Sequence, residues 1–304
     1  MSRFLALGEC MVELSDAGGG LYRRGFAGDT FNAAWYARRL LPASWQVAYG
    51  SVIGEDAASD EMASLMAAEG IDTTALRRHP SRTVGLYMIS LQNGERSFSY
   101  WRSQSAAKTL ADDPAWLEAT LANRHTIHFS AITLAILPPE GREALCAALT
   151  RARSAGATVA FDTNLRPRLW EGPEAMRQGL TMGAKAASIV LPSFDEDGPL
   201  FGDATPAETL ARYQALGATM VAVKQGAREL LLWDGHSTEL LTPPHVAAPV
   251  DTTAAGDSFA GGFLAGLATG QSPRDAATAA IRLASNVIQH RGALVPAALS
   301  GASA

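Results

Sequence analysis

The chain has 304 residues, of which 47% are hydrophobic and 18% are charged, a balance typical of a soluble globular protein with ample core material. Its formal net charge of -5 argues against a nucleic-acid or anionic-membrane partner, because both surfaces are negative and require a basic patch. The two cysteines lie far apart and indicate neither a disulfide framework nor a zinc site, so we expect the reducing cytoplasm as the compartment.

The N-terminal apolar run ends at Glu9, which favours a first strand over a signal peptide. Strands are expected at 4–8 and 46–53, with a helix at about 30–40 between them. No stretch approaches the roughly 18 apolar residues that a membrane-spanning helix needs.

Two strand-like runs at 84–92 and 96–101 flank Asn93-Gly94, a dipeptide that favours a tight hairpin. Together with the run at 11–14 and the glycine turn at 18–20, they predict a small antiparallel sheet. We expect this sheet, inserted at about 10–27 and 83–103, to act as a lid on a single domain that spans 1–304.

From residue 119 onward, short buried-strand runs alternate with amphipathic stretches, as in βα units on a parallel sheet. The predicted strands are 125–129, 158–161, 188–191 and 219–223. The predicted helices are 139–155, 173–184 and 206–216, each with a proline near its start. This pattern predicts an α/β fold with a central parallel sheet and helices on both faces.

The segment Asp251-Thr-Thr-Ala-Ala-Gly-Asp257 places small residues before a carboxylate that opens a helix running to about Gly270. Unpaired N–H groups at such a helix start can hold phosphate oxygens. Asp257 could then accept the proton of a substrate hydroxyl that attacks a γ-phosphate. The alternative is that Asp257 merely caps the helix, since aspartate is a favoured N-cap.

This segment resembles the second signature of the PfkB family of carbohydrate kinases, Asp-Thr-Thr-Gly-Ala-Gly-Asp, with Ala254 in place of the first glycine. The resemblance extends over nearly the whole chain and narrows to the 2-keto-3-deoxygluconate kinases. It implies a ribokinase-like α/β/α fold with a mostly parallel sheet, the use of ATP and Mg²⁺, and phosphorylation of 2-keto-3-deoxy-D-gluconate. The implied catalytic residues are Asp257 as the base, with Gly256, Ala255 and Ala254 as the amide loop.

Two further segments resemble the sugar site of this subfamily, namely the turn from Phe26 to Asn32 and the motif Tyr100-Trp-Arg102. A carboxylate-bearing sugar calls for a bidentate cation such as an arginine. The resemblance implies sugar contacts from Gly28, Asp29, Asn32, Tyr87, Tyr100, Arg102, Arg166 and Asp257. The alternatives are a helix cap for Asp29, packing for Tyr87 and a solvated surface position for Arg102.

The remaining family segments follow predicted strands, where open α/β sheets bind ligands. The resemblance implies ATP contacts from Asn164, Arg166, Ser193, Lys224, Gly226, Ala254, Gly256 and Asn286. It also implies that Glu196 acts on Mg²⁺, usually through water, that K⁺ can bind near the Asp251 loop, and that homodimers or higher homo-oligomers form through the lid. Ser193 replaces the asparagine of the family pattern.

Several alternatives remain beside this interpretation. The chain contains neither G-x-x-x-x-G-K-[ST] nor a G-x-G-x-x-G between strand and helix, which argues against a Walker ATPase and a Rossmann dehydrogenase. Within the kinases, the substrate could be 2-keto-3-deoxygalactonate or a neutral ketohexose. Outside them, Ser258 with His290 as base could form a hydrolase site, or the chain could be a non-catalytic sugar sensor.

Overall fold

The computed structural model describes residues 1–92 and 95–299, which form two sheets and the helices around the larger one. The strands are β1 (Ser2–Leu7), β2 (Met11–Gly18), β3 (Leu21–Ala27), β4 (Trp45–Gly54), β5 (Leu76–His79), β6 (Leu86–Gln92), β7 (Glu95–Trp101), β8 (Thr126–Ser130), β9 (Thr158–Asp162), β10 (Ile189–Leu191), β11 (Met220–Val223), β12 (Leu230–Trp233) and β13 (Thr238–Leu241).

The helices are α1 (Asp29–Leu40), α2 (Ala57–Ala68), α3 (Pro114–Leu121), α4 (Ala131–Ala135), α5 (Pro139–Ser154), α6 (Pro173–Ala186), α7 (Phe194–Phe201), α8 (Pro206–Ala215), α9 (Ala255–Ala268) and α10 (Pro273–Val287). Short 3₁₀ turns lie at Ala106–Thr109, Pro167–Leu169 and Pro296–Leu299. Among the described residues, no helix combines the length and the apolar character needed to cross a membrane.

The large sheet has the strand order β13-β12-β11-β10-β9-β8-β1-β4-β5. All its pairs are parallel except β11 with β12 and β12 with β13, so the mostly parallel sheet is confirmed. The antiparallel β12–β13 edge was missed, although Asp234-Gly235 between its strands is a hairpin signal. β5 was also missed, because its short sequence Leu-Arg-Arg-His carries no apolar run.

Two apolar cores cover the two faces of this sheet. Along β1, Phe4 and Ala6 belong to one core while Leu5 and Leu7 belong to the other, because successive strand side chains point to opposite faces. The first core contains α1, α9 and α10, and the second contains α3 to α6 and α8. The predicted three-layer α/β/α arrangement is therefore confirmed.

Small residues bring α1 and α9 unusually close together. A Cβ atom added to Gly261 would lie 2.4 Å from the carbonyl oxygen of Ala33, so only glycine permits this approach. A Cβ atom added to Gly262 would likewise lie 3.1 Å from the side chain of Leu283 on α10. The glycines of α9 thus serve helix packing in the first core, and they set the N-terminal ends of α1 and α9 side by side.

The small sheet has the order β3-β2-β6-β7 and corresponds to the predicted lid. Its β2–β3 and β6–β7 pairs are antiparallel, but β2 pairs with β6 in parallel, so the expectation of a wholly antiparallel sheet is wrong. The physical reason is connectivity, since β2 and β6 are joined by a long crossover through the large sheet rather than by a hairpin. The Asn93-Gly94 turn and the C-terminal tail from Ser300 lie outside the described residues.

Candidate active site

The polar residues of the candidate site gather where strands of the large sheet end at their carboxyl edge and where α1 and α9 begin. Glu9 follows β1, Asp162 ends β9, and Lys224 follows β11. Asp29 is the first residue of α1, and Asp257 lies in the first turn of α9. Such an edge is where open α/β sheets bind ligands.

Helix α9 begins in an unusual way. Its N-cap is Ala254, which has the left-handed backbone angles φ 60° and ψ 15° and provides no side-chain cap. The N–H of Ser258 donates to the Ala254 carbonyl oxygen at 2.8 Å. The N–H groups of Gly256 and Asp257 lie in the first turn, where no helical carbonyl lies four residues earlier to accept from them. Asp257 is thus the third helical residue, and the hypothesis that it serves as the N-cap is wrong.

The carboxyl group of Asp257 has an environment suited to a base. The Asn32 amide donates a hydrogen bond to its Oδ2 atom at 2.8 Å. Burial and the nearby negative charge of Asp29 raise the pKa of Asp257 to about 7, while the Asn32 hydrogen bond and the Arg166 charge act in the opposite direction. A carboxylate poised near neutral pH can accept a proton from a substrate hydroxyl and release it afterwards.

Asp29 lies opposite Asp257 at the start of α1. Its Oδ1 atom accepts from the N–H of Thr30 at 2.8 Å, and its Oδ2 atom accepts from the Asn164 amide at 3.0 Å. Asn164, predicted to contact ATP, therefore holds Asp29 in this structure. The N-cap of α1 is Gly28, and no side chain caps this helix, so the hypothesis that Asp29 is a helix cap is wrong. Asp29 then places a negative charge beside Asp257, which is the electrostatic reason for the raised pKa of the base.

Lys224 faces the open end of α9. Its Nζ atom donates to Oδ1 of the buried Asp162 at 2.8 Å, and a Cβ atom added to Gly256 would lie 3.7 Å from Nζ. The ammonium group thus lies close to the loop whose amides point outward. A cation beside helix N-terminal amides is a suitable environment for phosphate oxygens.

Glu196 and Ser193 lie at the start of α7, near the end of β9. The Oε2 atom of Glu196 accepts from the N–H of Leu165 at 3.1 Å, and its Oε1 atom lies 3.8 Å from Nη1 of Arg166. The Glu196 side chain is 40% exposed, so it remains accessible to a hydrated cation. The described residues contain no group of three or more His, Cys, Asp or Glu side chains that could hold a metal ion by themselves.

A buried polar network around Asp197 connects the start of α7 to the end of β9. The fully buried Asp197 accepts hydrogen bonds from the Thr163 hydroxyl at 2.8 Å, from the Ser193 N–H at 3.2 Å and from the Tyr213 hydroxyl. Burial raises the pKa of Asp197 to about 6, although these hydrogen bonds oppose the shift. The network ties the end of β9 to α7 and so fixes the position of Ser193.

Three of the predicted sugar contacts, Tyr87, Tyr100 and Arg102, lie on or next to the small sheet, and two of them have carboxylate partners. Arg102, just after β7, donates from Nη2 to Oε2 of Glu9, and the Tyr87 hydroxyl donates to Oε2 of Glu13. Burial and the Glu13 charge raise the pKa of Tyr87, which therefore stays protonated and able to donate. Tyr100 stacks on Tyr87 with ring centroids 5.9 Å apart and is 48% exposed.

The remaining predicted residues have different surroundings. Gly28 is essential on steric grounds, because an added Cβ atom would lie 2.1 Å from the Glu9 carbonyl oxygen. Gly226, two residues after Lys224, has a φ of 61°, a left-handed backbone angle that favours glycine. Arg166 is exposed beside Glu196. Asn286 lies on α10, where its amide Nδ2 is 3.5 Å from the Ala298 carbonyl oxygen.

The hydrolase alternative has no geometric support. The Ser258 side chain is fully buried within α9, and its hydroxyl donates to the Ala255 carbonyl oxygen at 3.0 Å. His290 is exposed beyond the end of α10, and no contact joins it to Ser258 among the interactions of the described residues. A nucleophile needs an accessible oxygen and a base within hydrogen-bond reach, and this serine has neither.

Sequence reasoning missed three carboxylates that organise the site: Glu9, Glu13 and Asp162. Glu9 and Asp162 are 2% and 3% exposed, and each is paired with a cation that was itself predicted. A charged residue inside an otherwise apolar strand run is the signal that could have identified them, because such a charge must be paired when buried.

Residues 1–298 match the family model described as pfkB family carbohydrate kinase. The 2-dehydro-3-deoxygluconokinase of Escherichia coli strain K12 is 39% identical over 97% of this chain and 98% of its own length. A PfkB protein from Polaromonas sp. JS666 superposes with a TM-score of 0.83 at 26% identity, covering 95% of this chain and 96% of its own. An Escherichia coli protein solved with ATP and Mg²⁺ superposes with a TM-score of 0.84 at 23% identity over 97% and 95%, and shares the fold.

Proposed function

Since the chain belongs to the pfkB family of carbohydrate kinases, we propose that it transfers the γ-phosphate of ATP to 2-keto-3-deoxy-D-gluconate and forms the 6-phosphate. The observation that carries this proposal is the pairing of Asp257, a base with a pKa of about 7, with an anion-holding helix start in the same turn. Phosphoryl transfer depends on positioning of the attacking hydroxyl and on electrostatic stabilisation of the phosphoryl oxygens, which are the proposed roles of these two features.

Each part of the site has a role in this reaction. Asp257 accepts the proton from the terminal hydroxyl of the sugar as that oxygen attacks the γ-phosphorus, and the bond to the ADP oxygen breaks. The amides from Ala254 to Asp257 and the Lys224 ammonium stabilise the charge on the phosphoryl oxygens. Asn32 orients the base through its 2.8 Å hydrogen bond.

The residues on the nucleotide side fit Mg²⁺ bound mainly by phosphates and water. Mg²⁺ usually keeps several waters and takes one or two carboxylates, and the half-exposed Glu196 is such a carboxylate. When bound, the ion neutralises phosphate charge. The proposed ATP contacts are Asn164, Arg166, Ser193, Lys224, Gly226, Ala254, Gly256 and Asn286.

Lid residues provide the selectivity for an acid sugar. Arg102 supplies a guanidinium for the sugar carboxylate, and Tyr87 and Tyr100 provide an aromatic wall beside it. Gly28, Asp29, Asn32 and Arg166 complete the proposed sugar site. The Escherichia coli relative, which is named for the same substrate and is similar over nearly the full length, supports this choice over a neutral ketohexose.

We also propose K⁺ binding near the Asp251 loop, assembly into a homodimer or higher homo-oligomer through the lid, and a cytoplasmic location. The family resemblance suggests all three. In support of the assembly, the lid exposes a set of large apolar side chains that a partner could cover: Leu21, Tyr22, Phe98, Tyr100 and Trp101. Sedimentation velocity tests the assembly, and a comparison of rates in KCl and tetramethylammonium chloride tests the cation.

The experiment for the main proposal is ADP release over a panel of sugars with ATP and Mg²⁺. The panel contains 2-keto-3-deoxygluconate, 2-keto-3-deoxygalactonate and D-fructose. We expect the highest kcat/KM for 2-keto-3-deoxygluconate. A higher value for D-fructose would contradict the acid-sugar assignment, and no ADP release with any sugar would contradict the kinase assignment.

A further inference from the structure

Glu9 is a buried carboxylate for which the reaction described above has no use. It lies in the turn between β1 and β2, and its side chain is only 1% exposed. A buried charge is costly unless it is paired and hydrogen-bonded, so the partner of Glu9 matters. Its cationic partner is Arg102, which directly follows lid strand β7 and whose own side chain is 11% exposed.

The contact between the two residues engages only part of each group. Oε2 of Glu9 accepts from Nη2 of Arg102, whereas Oε1 of Glu9 and Nε of Arg102 are enclosed without a hydrogen-bond partner among the described residues. The hydrogen bond from Nη2 to Glu9 therefore holds the guanidinium in place, and Nε is buried. Nη1 is neither the atom bonded to Glu9 nor among the enclosed unpartnered atoms of the described residues, so it is the nitrogen that we expect to meet a ligand.

The surroundings of the pair are fitted to it. A Cβ atom added to Gly85 would lie 3.0 Å from Oε1 of Glu9 and 3.1 Å from Cβ of Arg102, so both side chains occupy space that a glycine leaves open. The backbone around Glu9 is held equally closely, because Gly28 packs directly on its carbonyl oxygen. The pair therefore links the rigid end of β1 to a residue of the lid.

We propose that Glu9 is a positioning residue that holds the Arg102 guanidinium in the orientation needed to bind the carboxylate of the sugar. The inference rests on the proposed function. Glu9 acts through Arg102 and does not touch the substrate. Because the pair is neutral as a whole, recognition of the sugar carboxylate depends on the direction of the Arg102 N–H groups rather than on an excess of positive charge.

A purely structural ion pair would behave differently from a positioning pair. Glu9→Asp keeps the charge but shortens the side chain by one methylene, so it displaces the guanidinium while leaving the pair neutral. A structural role predicts a wild-type KM for the sugar in this variant. A positioning role predicts a raised KM for the sugar with an unchanged KM for ATP, because the proposed ATP contacts include neither residue of the pair.

The test is a double-mutant cycle on the full-length enzyme with steady-state kinetics for both substrates. The variants are Glu9→Asp, Glu9→Gln, Arg102→Gln and the double variant Glu9→Gln/Arg102→Gln, with Glu118→Gln as a matched control that removes the carboxylate of the exposed Arg151–Glu118 pair. We expect Glu9→Gln to raise the KM for 2-keto-3-deoxygluconate about tenfold, with kcat and the KM for ATP within about twofold. In the Arg102→Gln background, the same change should have less than about a twofold effect.

Three results would overturn the inference. They are a wild-type sugar KM in both Glu9 variants, equal increases in both KM values, and effects of Glu9→Gln and Arg102→Gln that multiply in the double variant. If Glu9→Gln does not fold, Glu9→Asp alone decides between a raised and an unchanged sugar KM. A wild-type enzyme that turns over no acid sugar would contradict the proposed function itself, whereas an active wild type with unaffected Glu9 variants would contradict only this inference.

Discussion

Asn32 donates a hydrogen bond of 2.8 Å from Nδ2 to Oδ2 of Asp257, although the two residues are 225 positions apart in the chain. The contact exists because Gly261 lets α9 approach the backbone of α1 at Ala33. A hydrogen bond to a carboxylate favours its charged form, so Asn32 opposes the upward shift that burial and Asp29 impose on the base. The orientation and the pKa of the base thus both depend on α1.

The first prediction concerns the pH dependence of the reaction. Asp257 acts as a base only when deprotonated, so kcat/KM for the sugar should rise with pH through a midpoint near 7 and then level off. Asn32→Ala removes a hydrogen bond to the charged form, so its midpoint should move to higher pH. Thr269→Ala, which removes a hydrogen bond near the far end of α9, is the control and should leave the midpoint in place. A midpoint that stays put in Asn32→Ala would refute this role.

The second prediction concerns Ala254, the position where the family signature has glycine. A left-handed alanine costs roughly 1–2 kcal/mol, while its buried methyl group contributes about 0.8 kcal/mol. Because the two terms nearly cancel, Ala254→Gly should change the free energy of unfolding by less than about 1 kcal/mol and keep most of the turnover. Ala254→Val should lower it by about 2–3 kcal/mol, since a β-branched residue does not adopt φ 60°. Urea unfolding measures the free energy of unfolding of both variants, and steady-state rates measure their turnover. A large loss of activity in Ala254→Gly would contradict the prediction.

The third prediction concerns Gly28. Gly28→Ala would place a methyl group against the Glu9 carbonyl, so the β1–β2 turn must shift and sugar binding should fall by about tenfold or more. Gly25, three residues earlier in β3, has nothing within 4 Å of a hypothetical Cβ and serves as the matched control. Calorimetric titration with the sugar should show wild-type affinity for Gly25→Ala. Equal affinities for the two variants would contradict the packing argument.

The fourth prediction concerns the Lys224–Asp162 pair. Lys224→Met leaves the Asp162 carboxylate buried without its cation, which should cost about 3 kcal/mol of unfolding free energy. It also removes the charge beside Gly256, so the KM for ATP should rise about tenfold while the affinity for the sugar stays unchanged. Lys185→Met, at an exposed position late in α6, should alter neither quantity. An unchanged KM for ATP would remove Lys224 from the nucleotide site.

Much of the fold follows from local patterns in the sequence. The βα rhythm after residue 119 predicts the parallel strands β8 to β11, because strands buried on both faces appear as short apolar runs. Strand β5 and the parallel β2–β6 pairing escape this reasoning. The first has no apolar pattern, and the second is a contact between segments far apart in the chain.

In the site, too, local features are predictable from the sequence and contacts between distant segments are not. The helix start that carries Asp257 in its first turn is a local feature and is predictable, whereas the partners of the charged residues around it are not. Asn164 contacts Asp29 across 135 residues, and Arg102 contacts Glu9 across 93. A sequence can indicate that a buried charge requires a partner, but which partner it finds depends on how the sheet brings the strand ends together.

The most direct test of the central claim is a product analysis by ³¹P and ¹³C nuclear magnetic resonance, with ATP, Mg²⁺ and 2-keto-3-deoxygluconate. The wild-type enzyme should form ADP and the sugar 6-phosphate in equal amounts. Asp257→Asn should form neither, while it binds the sugar with near wild-type affinity in calorimetric titration. Phosphate on another hydroxyl, or an Asp257→Asn variant that retains most of the turnover, would contradict the account.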